Sequence, residues 1–182
     1  MQTNPWGMRS PLIGRPEGVN GRTLSLRESA ELISNPRNLD SSVDEVFSLT
    51  VGVQCRRAWE SADTETESVT AVVGFGGLLT GACVFRTRGT VARDIAARMT
   101  GMEFSEIDDT VQDAVGEICN IVAGTWKSKV PELASHCDLS VPAVITGRDY
   151  KLHVQAPEFT LRHGFRFENS FFEVTILCDG LQ

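Results

Sequence analysis

From about residue 39 onward the apolar residues fall into blocks with either helical or strand periodicity. Val43, Val46, Phe47 and either Thr50 or Val51 recur at three- and four-residue intervals, which predicts a helix capped by Asp40 or Ser41 and ended by Gly52. Residues 53–59 read as a strand, and residues 60–68, with nothing apolar larger than Ala62, read as a solvated loop. Two β-rich runs, 69–75 and 78–85, meet at Gly76-Gly77 and predict a hairpin. A helix over 90–99 closes at Gly101. A longer helix starts at a cap on Asp108 or Asp109 and runs to Pro131 or slightly before. Residues 137–145 have strand character, with Pro142 confining that strand to an edge or a bulge. Three further strands are expected over 150–154, 162–168 and 172–177, the last two joined through Asn169-Ser170.

This order lacks the regular strand-helix alternation of a doubly wound sheet and predicts an α+β fold, a layered sheet-and-helix domain with two prominent helices. The folded domain is expected to span residues 39–182. Residues 1–38 read as a Pro/Gly/Arg-rich, flexible N-terminal tail, with Pro5, Pro11, Pro16 and Pro36 and few large apolar residues before Leu24. A short helix over 24–33 is a weak periodic signal inside it. Five arginines against three glutamates through Arg37 give the tail +2 and leave the rest of the chain at −9.

Charge narrows the function classes. A net charge of −7 without a basic stripe argues against nucleic-acid binding. No apolar run reaches the length of a membrane span and the N-terminus lacks a signal-peptide core, so no membrane partner is expected and the cytoplasm is the expected compartment. Cys55, Cys83, Cys119, Cys137 and Cys178 include no Cys-x-x-Cys pair, and the histidines at 136, 153 and 163 are dispersed, so no metal site is expected. The glycines at 74, 76, 77 and 81 belong to a tight turn, because no Gly-Lys-Ser/Thr follows them.

The chemistry concentrates on the longer helix. At roughly 100° per residue, Val111, Val115, Ile118, Val122 and Trp126 fall on one side. Asp113, Glu117, Asn120 and Gly124 gather on the other within an arc of about 60°. Mid-helix Asn and Gly are unfavourable, Gly by roughly 1 kcal/mol against Ala, so something besides helix stability selects them. Gly116 and Gly124 flank the polar pair and allow another molecule to approach the helix backbone. Equally, Gly124 would permit close packing against a neighbour within the domain. Asp113 either contacts a partner at the rim or favours the helix start.

The run Asp113-x-x-x-Glu117-x-x-Asn120, with Pro142 further on, resembles the signature of the CheC, CheX and FliY chemotaxis phosphatases. Val72-Val73-Gly74-Phe75 with Gly77 and Gly81, then residues 114–124 and 139–147, are similar to CheX in particular. Within the expected folded domain, from residue 39 onward, only one Glu-x-x-Asn is present. The first helix carries Asp44, Glu45 and Ser48 without the Asn, which matches a single active face. The resemblance implies a substrate: the aspartyl phosphate of a phosphorylated CheY-like receiver, with Mg2+ held in that partner and no cofactor on this chain. It also implies a homodimer.

On this reading Asn120 orients the attacking water, since its neutral amide offers a donor and an acceptor and brings no negative charge near the phosphoryl oxygens. Glu117 pairs with a lysine of the receiver. A general-base role for Glu117 is the weaker alternative, because an aspartate leaving group needs little proton assistance. Asp113, Gly116 and Gly124 are the candidate partner-binding positions. The competing function is a non-enzymatic receiver-binding adaptor or flagellar-switch-like module on the same fold.

Overall fold

A computed structural model describes residues 31–59, 67–150, 152–153 and 157–181. Asn35 and Pro36 start the first helix, α1 (Pro36–Thr50): the Asn35 side chain accepts from the Arg37 N–H at 3.1 Å, and Pro36 occupies the first turn, where a missing N–H costs nothing. The helix therefore begins before the expected cap at Asp40 or Ser41. Leu39 extends the apolar stripe of Val43, Val46 and Phe47 backwards, and Ile33, ahead of the helix, is also in the core. Residues 31–33, the described end of the expected 24–33 helix, are helical, and the rest of that helix and of the tail lies outside the described residues.

The sheet follows. Strands β1 (Arg56–Arg57), β2 (Ser68–Gly77) and β3 (Leu79–Arg88) precede helices α2 (Gly89–Thr100), α3 (Asp109–Ser128) and the short α4 (Pro131–His136). Strands β4 (Cys137–Leu139), β5 (Ala143–Gly147), β6 (Phe159–Phe167) and β7 (Ser170–Leu181) complete it. All pairings are antiparallel, in the order β1-β6-β7-β3-β2, with β4 and β5 both on the free side of β2. The α+β class is as expected. The expected strand over 53–59 shrinks to two residues. Tyr150, Leu152 and His153 belong to no strand, and residues 151 and 154 of that expected strand lie outside the described set, as do 60–66 of the expected loop.

Alternation decides which face is buried. Val69, Ala71, Val73 and Phe75 of β2 pair with Thr87, Phe85, Cys83 and Gly81 of β3, and these rows continue through Val174 and Ile176 of β7. Their side chains point to one face, where α1, α2 and α3 cover them. Phe47 of α1 stacks on Phe172 with ring centroids 4.4 Å apart, and Phe85 and Phe165 lie against the same ring at 5.0 and 5.5 Å. On α3, the fully buried Trp126 packs against Phe75 at 5.3 Å. Truncating a core aromatic of this kind costs on the order of 3 to 5 kcal/mol, so α3 is fixed firmly over β2.

Two turns show why the chain reverses where it does. Gly77 in the β2–β3 connection has φ +96°, and a Cβ there would lie 2.5 Å from the His136 carbonyl oxygen, so only glycine fits the expected hairpin. Gly101 closes α2 at φ +73°. The β6–β7 turn uses Glu168 and Asn169, since Phe167 already pairs with Ser170.

Candidate functional site

The site is one turn and a half of α3, presented by its opposite, buried face. Asp108 caps the helix by accepting from the Val111 N–H at 2.9 Å, and Asp109 lies in its first turn. Val111, Val115, Ile118, Val122 and Trp126 are buried, which fixes the rotation of the helix and turns Asp113 and Glu117 outward as exposed side chains. Asn120 is half-buried. Neither Glu117 nor Asn120 has a hydrogen bond or ion pair among the described residues, so both polar groups are available to another molecule.

The glycines have different surroundings from those expected. Gly116 is buried, and a Cβ there would stand 3.3 Å from Val144 Cγ2 and 3.4 Å from Pro142 Cβ. It admits the chain's own Pro142 against α3, so the expectation that it faces a partner is corrected: its space is already filled. Gly124 is half-buried and more open, with only Leu139 Cδ1 at 3.7 Å from the position of a Cβ. Gly116, Asn120 and Gly124 are successive i, i+4 positions, so Asn120 stands between two side-chain-free turns.

The expected strand over 137–145 is broken in two at Ser140–Pro142, beside this face. Ser140 keeps the β2 edge satisfied across the break: its N–H donates to the Gly74 carbonyl at 2.9 Å and its Oγ accepts from the Gly74 N–H at 2.8 Å. Pro142 then lies on Gly116, and Val141 is 86% exposed next to it. Beyond Asn120, a shallow groove of about 590 Å³ is lined by Asn120, Gly124, Leu139 and the Glu45–Lys129 pair, whose charged atoms are 3.0 Å apart. Sequence reasoning missed Val141, Leu139 and this ion pair. A valine before Pro142 was the only available signal for the first of them.

Several charged groups near the face have internal roles. Asp44 accepts from the Cys55 N–H at 3.1 Å, and Glu45 is held by Lys129, so the first helix's acidic pair serves the fold. Lys127 Nζ donates to the carbonyls of Ala134 and Cys137 at 3.0 and 2.8 Å and ties α4 to the end of α3. Among the described residues, no group of three or more His, Cys, Asp or Glu side chains is arranged to hold a metal ion. No helix among them is long and apolar enough to cross a membrane.

A set of helices laid over one face of an antiparallel sheet is also the arrangement that comparison with known proteins finds. The family model for the chemotaxis phosphatase CheX matches residues 69–162, which contain β2 through α3 and the Pro142 bend. The chain belongs to the CheX family. A relative from Thermotoga maritima, named CheY-P phosphatase CheX, is 30% identical over 118 residues, covering 63% of this chain and 76% of that protein. Among solved structures, CheX from Vibrio vulnificus superposes with a TM-score of 0.68 at 20% identity, over 80% of this chain and 95% of that one. A CheX-CheY-BeF3-Mg2+ complex from Borrelia burgdorferi gives 0.66 at 19% identity, over 81% of this chain and 99% of that one. These two structural likenesses carry the fold, whereas the CheX family membership rests on the sequence match.

Proposed function

We propose that this chain is a phosphatase for the aspartyl phosphate of a CheY-like receiver domain, working through Glu117 and Asn120. The carrying observation is that these two side chains sit three residues apart on the outward side of a rigidly packed helix, with no hydrogen bond or ion pair among the described residues to satisfy them. Membership of the CheX family and the relative named CheY-P phosphatase support the substrate.

The chemistry asks little of the protein. Water adds to phosphorus as the P–O bond to the receiver's aspartate breaks, leaving a carboxylate and dihydrogen phosphate that retains both of the water's protons. Positioning dominates the barrier of such a transfer. The Asn120 amide accepts a hydrogen bond from the attacking water and holds it in line, without adding negative charge beside the phosphoryl oxygens. Glu117 grips a cation of the receiver and fixes the register of α3 over the phosphorylated residue.

Asp113 lies beyond the first turn of α3, where the helix dipole no longer rewards a carboxylate, which favours its role as a rim contact. Gly124 and Leu139 give the receiver a shallow seat beside Asn120, and Val141 offers an apolar contact at its edge. Mg2+ belongs to the receiver. The protein acts in the cytoplasm, where the receiver is phosphorylated, and it works as a homodimer. The outer side of β6, which β1 pairs only at Phe165 and Arg166 among the described residues, supplies the edge for that pairing.

The test is the decay of each phosphorylated CheY-like receiver of the source organism, measured with and without the protein. Accelerated decay of at least one receiver supports the reading. A receiver that binds while its decay rate stays unchanged identifies the chain as an adaptor instead.

A further inference from the structure

We propose that a cavity at the start of α2 binds a small organic phosphate, at a site distinct from the Glu117–Asn120 face. It encloses about 530 Å³, within the range of small-molecule sites and far more than an isolated oxyanion fills. Arginines from three separate parts of the chain line it: Arg88 at the end of β3, Arg93 on α2 and Arg148 just after β5. In a chain of net charge −7, three arginines lining one hollow concentrate positive charge locally. Their forked donors match phosphate oxygens better than any other side chain.

The surroundings reinforce this chemistry. Arg93 Nη1 donates to the Ser105 carbonyl, which holds the guanidinium in place with its other N–H groups unspent among the described residues. Thr90, in the first turn of α2, brings a hydroxyl to the cavity, and that turn has no side-chain cap. The helix field there adds to the attraction for an anion.

Glu67 and Glu106 also line the hollow. They oppose a bare anion, but they accept hydrogen bonds from hydroxyl or amino groups. The match is therefore a phosphate monoester carried on a body rich in such donors. Nucleoside monophosphates and sugar phosphates share that chemistry.

Calorimetric titration of the full chain with GMP, glucose 6-phosphate and inorganic phosphate tests the site and separates the sources. At least one of the two organic phosphates is expected to bind at least about tenfold more tightly than inorganic phosphate. Arg148 is exposed, so Arg148→Ala is expected to keep the wild-type melting temperature and weaken that binding at least about tenfold. Arg162→Ala, at an exposed arginine paired with Glu173 outside the cavity, and Glu117→Ala are expected to leave it unchanged. The proposal is overturned if neither organic phosphate binds or inorganic phosphate binds as tightly. It is equally overturned if Arg148→Ala has no effect, or if Arg162→Ala or Glu117→Ala weakens binding as much. Binding here is independent of whether any receiver is dephosphorylated.

Discussion

Replacing Asn120 by alanine separates catalysis from folding. The Asn120 amide makes no hydrogen bond among the described residues and the side chain is only half-buried, so Asn120→Ala breaks no internal contact of consequence. Alanine is also the better helix former, by roughly 0.6 kcal/mol. The variant should therefore melt at or slightly above the wild-type temperature. Its effect on the reaction runs the other way. Loss of one preorganised polar group that orients the water raises the barrier by about 2 to 4 kcal/mol, a fall in rate of roughly 30- to 900-fold.

The assay is single-turnover decay of a phosphorylated receiver with the phosphatase in saturating excess, so that weaker binding does not pass for weaker catalysis. Binding is followed in parallel with a receiver locked by BeF3. Asn120→Asp should rescue nothing, because a carboxylate can hold the water but repels the phosphoryl oxygens. A folded Asn120→Ala protein whose saturating rate stays within about threefold of wild type would refute the role of the amide.

The other expectations concern docking and stability. Glu117→Lys should lower receiver affinity at least about tenfold, with little change in the saturating rate or in melting temperature; a loss confined to the saturating rate would assign Glu117 to chemistry. Gly124→Ala places a Cβ at ordinary contact distance from Leu139, 3.7 Å, so the helix should gain about 0.5 to 1 kcal/mol. The same methyl narrows the groove and should weaken receiver binding; unchanged affinity would remove Gly124 from the docking surface.

His163 should make stability depend on pH. It is buried, and desolvation holds its pKa below the usual 6.5 despite a 2.7 Å hydrogen bond with Asp40, while Arg57 nearby pushes it the same way. The unfolded chain therefore takes up this proton first. Its contribution is complete above about pH 6.5 and is lost as pH falls toward the depressed value. The urea midpoint should decline across that window more steeply in wild type than in His163→Gln, and equal slopes would exclude His163 as the cause.

What could be read in the sequence was what one-sided burial imposes. Val111, Val115, Ile118, Val122 and Trp126 announce α3 because a helix over a sheet must keep one stripe apolar, and the same stripe orients Glu117 and Asn120. Gly77 and Gly101 mark reversals that only glycine makes cheaply. What escaped depends on neighbours distant in sequence. Gly116 looks the same whether its open space receives another protein or the chain's own Pro142, and only packing distinguishes the two. The start of α1 was misplaced because Leu39 is one apolar residue at the margin of a polar segment, and its burial is known only once the sheet is present. Residues 53–59 carry β-rich composition, but only Arg56 and Arg57 find a partner strand there.

The interruption at Ser140–Pro142 also protects the molecule from itself. A long bare strand on that margin would template the addition of foreign chains, the first step toward insoluble aggregates. Instead the outermost backbone there is two fragments of three and five residues, separated by a bend whose proline has no N–H to offer. The same bend that packs against Gly116 of α3 thus leaves an incoming strand too short a ladder to zip onto. A variant that straightened it would be expected to lose solubility before it lost its fold.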